Sequence, residues 1–361
     1  MRRPRILAAL VLASVAFSVG SATHVSSQET TPVTAGFSDG TANVNGIRLH
    51  YISAGRGEKL MLFLHGFFNF SHYWAEQLAE FGKDHLAVAP DLRGYGRSSR
   101  PDTVEQYQLQ YLIEDVRQLA HHLNGGKPFT LVGHDWGGLI AFVFAMHYPE
   151  LVDRLIVANA PHPQVFEREV NENPWQRFAS TYMLRMTDYG HADEPVFPDT
   201  MPMATALARV DTGFVGEQIK LGRYSPEDRQ RWLDALTAPN AWLAGRNYYR
   251  ANNLNPPFND THPRSEVARS WSTAAVTARA KTLVLPMPTL LLWGMNDPAL
   301  PEGNLTGLDR YFAQLRIRLF PNGTHNASQE LYEQVNAEIR HFLAGRDADR
   351  KERVVMPGPP S

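Results

Sequence analysis

The sequence predicts an α/β protein in which a doubly wound, mostly parallel sheet carries an inserted helical segment. Short, continuous apolar runs recur along the chain, as they do in strands that are buried on both faces. Stretches with helical character separate these runs, and that alternation is typical of a parallel sheet. The alternation of strands and helices is interrupted at residues 162–280, which are rich in Trp, Tyr, Arg and Pro and show no strong strand pattern.

The individual strands and helices follow in order from these patterns. Residues 42–53 alternate around a Val44-Asn45-Gly46 turn and predict an opening pair of strands. Further strands are predicted at residues 60–64, 85–90, 129–132, 155–158, 289–293 and 317–320, and helices at residues 109–123, 139–146 and 226–236. The predicted domains are a first core segment (36–161), a helical cap (162–280) and a second core segment (281–345). Function is expected at the carboxyl ends of the strands.

Both ends of the chain lie outside this predicted core. Three arginines within residues 1–5 precede an apolar run at residues 6–19, which predicts a signal peptide over residues 1–22. The run is shorter than the ~20 residues that a membrane anchor needs. We therefore expect a secreted or periplasmic protein with no membrane attachment in its mature form, and leave the export route open. Residues 346–361 are charged and then proline-rich, which predicts a disordered tail.

Composition excludes several classes of function. The chain has no cysteine, which removes thiol catalysis, cysteine metal sites and disulfides. Its formal net charge is -2 and it has no basic block, so we expect no nucleic-acid partner. We also expect no cofactor and no metal. A homodimer is left open.

The most specific motif is Gly133-His134-Asp135-Trp136-Gly137, which lies between a predicted strand and a predicted helix. It has the shape of a nucleophile elbow, with aspartate at the position that serine usually occupies. An aspartate that attacks a saturated carbon leaves an alkyl ester on the enzyme. The alternative interpretation is a glycine-rich turn in which the aspartate caps the helix.

A nucleophile elbow requires an acid and a histidine later in the chain, in that order. Asp297 follows one predicted strand and His325 follows the last one, so both are expected in loops at the active edge of the sheet. His325 is the candidate base, and Asp297 would orient its ring. Two neutral amides, Asn296 and Asn159, are rival candidates for the orienting role. The alternatives are a turn aspartate before proline and a surface histidine.

Cleavage of the ester passes through an oxyanion, which two backbone N–H groups are expected to bind. In a nucleophile elbow these groups belong to the residue after the nucleophile, here Trp136, and to the loop after an early core strand, here Phe67. His65 and Gly66 supply the tight turn before Phe67. We expect a structural role for His65.

The chain resembles the α/β-hydrolase fold family and, within it, the epoxide hydrolases, from about residue 36 to residue 345. The resemblance rests on His65-Gly66-Phe67, on residues 91–98 and on residues 133–138, which are motifs shared with the haloalkane dehalogenases. It implies that an epoxide and water are converted to a vicinal diol through an ester on Asp135. His325 and Asp297 would activate the water.

The cap separates these two families. Epoxide hydrolases typically use two cap tyrosines, whose hydroxyls bind and protonate the epoxide oxygen. The resemblance implies Tyr249, in Asn247-Tyr248-Tyr249-Arg250, as one of them. It implies Tyr182 as the other, with Tyr189 as a nearby alternative. Aromatic packing of the cap on the core is the alternative role for each tyrosine.

The chain also departs from the family pattern. Phe68 replaces the proline of the usual oxyanion loop, and Asn326 follows His325 where a bulky aromatic is common. Some exported bacterial relatives of the epoxide hydrolases also lack this proline and favour a His–Tyr pair for ring opening. In this chain the Tyr–Tyr pair is retained, and no cap histidine stands out above His162 and His191.

Two other functions remain open at this stage. A haloalkane dehalogenase would use the same nucleophile, but Phe67 offers no side-chain donor for a halide, so a cap tryptophan would have to supply one. The other is an exported effector on the same fold, and such proteins generally lose a member of the triad.

Overall fold

A single sheet runs through the described part of the protein, which in this computed structural model comprises residues 32–187, 200–254, 256 and 272–345. Its strands are β1 (Ser38–Val44), β2 (Ile47–Ala54), β3 (Leu60–Leu64), β4 (Leu86–Pro90), β5 (Phe129–His134), β6 (Val152–Ala158), β7 (Thr289–Gly294) and β8 (Leu315–Phe320). The order in the sheet is β1-β2-β4-β3-β5-β6-β7-β8, and the pairs β1–β2 and β2–β4 are antiparallel while the others are parallel. Each predicted strand is confirmed, with differences only at the ends.

The opening pair is a tight hairpin. Asn45 and Gly46 both have positive φ, 46° and 75°, which is the geometry of a two-residue turn that matches the twist of its strands. This explains why the alternating pattern of residues 42–53 breaks at an Asn-Gly pair. The hairpin extends the parallel sheet at one edge.

Helices cover both faces of the sheet, as a doubly wound fold requires. They are α1 (Ala75–Phe81), α2 (Leu109–Asn124), α3 (Trp136–His147), α4 (Pro163–Glu172), α5 (Pro174–Ala179), α6 (Tyr182–Met186), α7 (Met203–Thr212), α8 (Phe214–Lys220), α9 (Pro226–Thr237), α10 (Ala241–Asn252), α11 (Ala274–Thr277), α12 (Ala327–Glu330) and α13 (Tyr332–Leu343). One apolar cluster packs α2 and α3 on Leu62 and Leu131, and a second packs α1 and α13 on Phe63 and Val132. Because both faces are covered, β3 and β5 are buried along their length, and β3 is apolar throughout.

The described cap residues between β6 and β7 form helices α4 to α11 and no strand. A third apolar cluster joins Trp232 of α9 and Trp242 of α10 to Phe70 and Ala75 of the core. Arg223, between α8 and α9, pairs with the buried Glu76 of α1 at 2.5 Å. The cap is thus packed on the edge of the sheet where the strands end, above the candidate site.

The predicted signal peptide and tail, and the cap candidates Tyr189 and His191, lie outside the described residues. Among the residues that are described, none of the helices combines the length and the apolar character needed to cross a bilayer. The domain boundaries at residues 162 and 280 stay predictions.

Candidate active site

Asp135 occupies a strained turn between β5 and α3. Its backbone has φ 52° and ψ -121°, a conformation that costs a non-glycine residue about 1–3 kcal/mol. The flanking glycines make the turn sterically possible. A Cβ on Gly133 would lie 2.4 Å from the Gly137 carbonyl oxygen, and one on Gly137 would lie 2.2 Å from the Leu64 carbonyl oxygen. The sequence therefore places Asp135 at the apex of a sharp elbow.

The two carboxylate oxygens of Asp135 face different groups. Oδ1 accepts a hydrogen bond from the Phe67 N–H at 2.7 Å, and Oδ2 lies 3.5 Å from Nε2 of His325. Gly66 allows the first contact, because a Cβ there would lie 2.6 Å from Oδ1. Oδ2 is the oxygen left to attack a substrate. Trp136, the other predicted oxyanion residue, is the first residue of α3.

Asp297 and His325 meet as the order of the chain predicts. Nδ1 of His325 lies 2.7 Å from Oδ2 of Asp297. Oδ1 of Asp297 accepts hydrogen bonds from the N–H groups of Ala299 at 2.8 Å and Leu300 at 3.0 Å. Asn159 donates from Nδ2 to Oδ2 at 2.9 Å. Asp297 is thus held in one orientation by the loop that follows it and by a neighbouring strand end.

The two rival amides have different positions. Asn159 contacts Asp297 and does not replace it, and its own Oδ1 accepts from the Gly294 N–H at 2.9 Å. Asn296 is exposed and donates to the Pro321 carbonyl oxygen at 2.9 Å. The orienting contact to His325 therefore comes from Asp297.

The charges of this cluster favour an ion pair in the resting protein. Burial lowers the pKa of His325, but the carboxylates of Asp297 and Asp135 outweigh burial and raise it to about 10. Burial raises the pKa of Asp135, yet the hydrogen bond and charge of His325 and the Phe67 N–H bring it below its ordinary value. At neutral pH Asp135 is therefore an anion, ready to act as a nucleophile.

His134 was not predicted as a site residue, although it lies beside the nucleophile. Its Nε2 donates to the His325 carbonyl oxygen at 2.8 Å, and its ring stacks on Tyr73 at 4.7 Å. Burial, together with the nearby His325 charge, lowers the pKa of His134 to about 3, so the ring is neutral. His134 therefore anchors the loop that carries His325.

His65 has the structural role that the sequence predicts. Nδ1 donates to the Gly66 carbonyl oxygen at 2.8 Å, and Nε2 accepts from the Leu92 N–H at 3.0 Å. Burial lowers the pKa of His65 to about 4, which keeps the ring neutral and fixes this tautomer. The ring thus joins the Phe67 loop to the end of β4.

The backbone conformation at Phe68 explains why this loop has no proline. Its φ is 61°, whereas a proline ring holds φ near -65°. The loop after β3 therefore follows a course that proline does not allow. The Phe68 ring packs on Trp242 of the cap at 4.0 Å, so the loop is fixed by an aromatic contact instead.

Tyr182 and Tyr249 line one cavity with Asp135 and His325. Their rings cross edge to face at 6.3 Å, and the hydroxyl of each affects the pKa of the other. Burial and then the Asp135 charge raise the pKa of Tyr182, while burial, Tyr182 and Asp135 raise that of Tyr249. Both hydroxyls are therefore protonated at neutral pH.

The adjacent Tyr248 has a different role. It is fully buried, and its hydroxyl donates to the Arg93 carbonyl oxygen at 2.7 Å. It therefore ties α10 to the core and does not line the cavity. Between the two tyrosines of the Asn-Tyr-Tyr-Arg motif, the structure distinguishes Tyr249 as the one beside Asp135.

Much of the remaining cavity wall is apolar and comes from both core and cap, including Leu139, Pro161, Phe166, Met183, Leu254 and Leu300.

The cap histidine His162 does not line this cavity. Its ring stacks on Tyr311 at 4.5 Å within an aromatic cluster, and burial lowers its pKa to about 3. Within residues 32–187, 200–254, 256 and 272–345, no three His, Asp or Glu side chains come together as a metal site.

Comparison with known proteins places this chain in a family. The model of the alpha/beta hydrolase fold matches residues 59–330. Epoxide hydrolase 4 of Mus musculus is 33% identical over 306 residues, which cover 83% of this chain and 77% of that protein. The chain belongs to the α/β-hydrolase fold family, in its epoxide hydrolase group.

Other relatives agree with this placement. Epoxide hydrolase 3 of Xenopus tropicalis is 33% identical over 313 residues, covering 83% of this chain and 75% of that protein. Among solved structures, a Bacillus megaterium epoxide hydrolase in complex with an inhibitor has 34% identity and a TM-score of 0.67. That match covers 84% of this chain and 100% of the other.

Proposed function

We propose that this protein hydrolyses epoxides to vicinal diols through a covalent alkyl ester on Asp135. The observation that carries the proposal is the position of Asp135, between a triad histidine and two cap tyrosines. Oδ2 of Asp135 lies 3.5 Å from His325, and the same cavity is lined by Tyr182 and Tyr249. A nucleophile, a base and two oxygen-directed donors are what ring opening and ester cleavage require.

Ring opening uses the carboxylate and the tyrosines. Asp135 Oδ2 forms a bond to one epoxide carbon, while the bond from that carbon to the epoxide oxygen breaks. The oxygen gains negative charge, takes a hydrogen bond from the hydroxyls and then a proton from one of them. Because the pKa values of Tyr182 and Tyr249 are raised, each hydroxyl carries the proton needed for this step.

Ester formation also prepares the second step. The charge of Asp135 disappears when it becomes an ester, so His325 loses one of the two carboxylates that raise its pKa. The pKa of His325 therefore falls, and the proton that it carries in the resting protein passes to the tyrosinate left by ring opening. The neutral ring can then act as a base and take a proton from a water that attacks the ester carbonyl. The Phe67 N–H already binds Oδ1, where the oxyanion forms, and Trp136 is proposed to supply the second donor. Collapse of the oxyanion breaks the bond between the carbonyl carbon and the diol oxygen, and that oxygen takes the proton from His325. The Asp135 carboxyl group then returns a proton to His325, which restores the ion pair.

The site favours this reaction over release of a halide. The Phe67 side chain has no polar donor, and its ring faces Tyr249 edge to face at 5.2 Å. The hydroxyls of Tyr182 and Tyr249 line the cavity and can give a proton to a leaving oxygen, whereas a leaving halide needs no proton. The effector alternative loses support because Asp135, Asp297 and His325 are all present and in contact.

The test is a panel of aryl and alkyl epoxides beside bromoalkanes and chloroalkanes, with diol and halide release measured separately. We expect diol from epoxides and little halide, with both activities absent in Asp135→Ala. Halide release that exceeds diol formation across the panel would reverse the assignment in favour of a dehalogenase. Absence of both products in the wild-type protein would contradict the proposed function.

We also propose that the chain is exported and cleaved near residue 22. The support is the basic start, the short apolar run and the small residues Gly20-Ser21-Ala22, with a chain that contains no cysteine. Expression in a bacterial host followed by mass spectrometry of the periplasmic fraction tests this proposal. An intact N-terminus in the cytoplasmic fraction alone would contradict it.

A further inference from the structure

Gly245 lies in the middle of α10 and is buried. A glycine inside a helix makes the helix less stable than an alanine would, because glycine loses more backbone freedom on folding. The presence of glycine at this buried position of α10 is therefore explained by close packing. The residue packed against it is Phe67.

The ring of Phe67 occupies the space that a side chain at position 245 would need. A Cβ on Gly245 would lie 2.7 Å from Cε2 of Phe67 and 3.3 Å from its Cδ2. It would also lie 3.1 Å from the hydroxyl oxygen of Tyr95. Carbon atoms in contact prefer about 3.5–4.0 Å, so α10 approaches Phe67 more closely than any other residue type at position 245 would allow.

Both partners are held by other contacts, although Phe67 is only half-buried. The Phe67 ring is surrounded by the rings of Phe68 at 3.6 Å, Tyr249 at 5.2 Å and Trp242 at 6.4 Å. A methyl group added at position 245 would therefore have to displace this aromatic group or the helix itself.

The helix is fixed to the core at its far end. The Tyr248 hydroxyl donates to the Arg93 carbonyl oxygen at 2.7 Å, and Asn252 accepts from the Leu109 N–H at 2.9 Å. Asn252 also donates to the Tyr107 carbonyl oxygen at 3.0 Å. Movement of α10 away from Phe67 would strain these hydrogen bonds.

Two parts of the catalytic site meet at this contact. The Phe67 N–H binds Asp135, and Tyr249 follows Gly245 by one helical turn, on the same side of α10. We propose that Gly245 is a positioning residue, whose missing side chain seats α10 on the Phe67 ring and thereby sets both the oxyanion N–H and the Tyr249 hydroxyl relative to Asp135. This inference rests on the proposed epoxide hydrolysis.

The proposal requires that both chemical steps depend on position 245. A displaced Tyr249 slows formation of the Asp135 ester, and a displaced Phe67 N–H slows its hydrolysis. A shift of about 1 Å in a catalytic group can lower a rate by roughly 100-fold. A merely structural glycine would change the melting temperature and leave the two rate constants in place.

The experiment compares Gly245→Ala with Leu243→Ala in single-turnover reactions of a styrene-oxide-type substrate. Leu243 is half-buried and, two residues away, points to the opposite side of α10. We expect Gly245→Ala to lower the rates of ester formation and ester hydrolysis by about tenfold or more each. Leu243→Ala should leave both rates within about twofold of the wild type. Unchanged rates in Gly245→Ala would overturn the proposal.

A second pair of variants identifies the contact. Phe67→Leu keeps the backbone N–H but removes the ring atom Cε2. Gly245→Ala should therefore lower the two rates by a smaller factor in the Phe67→Leu background than in the wild type. An equal fold-loss in both backgrounds would overturn the proposal. If the Gly245→Ala protein is insoluble, recovery of soluble protein in the double variant Gly245→Ala/Phe67→Leu supports the proposed contact. Insolubility of the double variant as well would contradict it. A wild-type protein that opens no epoxide contradicts the proposed function itself, which distinguishes the two failures.

Discussion

His325 and Asp297 form a hydrogen bond of 2.7 Å between Nδ1 and Oδ2, and the side chain of Asp297 has 0% exposure to solvent. Because Nδ1 is committed to this bond, Nε2 is the nitrogen that faces the nucleophile. The pair thus decides which atom of the ring exchanges a proton with the hydrolytic water.

Replacement of His325 by glutamine should separate the two chemical steps. Asp135 keeps its contact with the Phe67 N–H, so the epoxide is still opened and the ester forms. Without the base, hydrolysis of the ester should fall by about 100- to 10,000-fold. Intact-mass measurement should then show a stable adduct on Asp135. Full turnover in His325→Gln would remove this residue from the mechanism.

Asn159 should matter through Asp297. Its Nδ2 donates to the same oxygen that His325 contacts, and its φ of 38° is one that glycine also adopts. Asn159→Gly should lower the free energy of unfolding by about 1–3 kcal/mol, because a buried carboxylate loses a partner. It should also make the ester accumulate during turnover. Asn296→Ala, which changes an exposed neighbouring amide, is the control and should do neither. Equal behaviour of the two variants would contradict this role.

The adjacent tyrosines of α10 should respond differently to loss of a hydroxyl. Tyr249→Phe should slow ester formation from an epoxide by roughly ten- to a thousand-fold, as expected for loss of an acid or oxyanion donor. Tyr248→Phe removes a bond to the Arg93 carbonyl oxygen and should instead cost about 1–3 kcal/mol of stability.

Pre-steady-state alkylation rates with an epoxide and a bromoalkane, together with melting temperatures, distinguish these outcomes. Tyr182→Phe should resemble Tyr249→Phe. Unchanged epoxide opening in Tyr249→Phe would contradict the role of that hydroxyl.

The His325 ion pair should make stability depend on pH in a defined window. The pKa of His325 is 6.5 in the unfolded chain and is raised to about 10 by its carboxylate neighbours. Its stabilising contribution is therefore fully present below pH 6.5 and is lost as the pH rises towards 10. The difference in melting temperature between wild type and His325→Gln should shrink over that range. A difference that grows with pH would contradict the ion pair.

The fold was predictable because its central strands contain continuous apolar runs. The runs at residues 60–64 and 289–293 match β3 and β7, since a strand buried on both faces has no polar face to obscure the pattern. The elbow was predictable for a steric reason, because the close approach of Gly137 to Leu64 leaves no space for another residue. The order Asp135, Asp297, His325 then followed from the topology.

Other parts of the site depend on contacts between distant residues, which no local pattern encodes. The hydrogen bond from Asn159 to Asp297 spans 138 positions, and that from His134 to the His325 carbonyl spans 191. The left-handed φ of Phe68 and the packing of its ring on Trp242 in the cap are visible only in the fold, whereas the sequence shows only that proline is missing. The cap tyrosines rested on resemblance alone, because short helices with mixed patterns do not reveal which face meets the core.

The most direct test of the account is the fate of oxygen in a single turnover. An excess of protein reacts with an epoxide in heavy-oxygen water, and the peptide that contains Asp135 and the diol are analysed by mass spectrometry. Water attacks the ester carbonyl in this mechanism, so the label should enter the Asp135 carboxylate and be absent from the first diol. A label found in the first diol, with an unlabelled Asp135, would contradict the covalent ester.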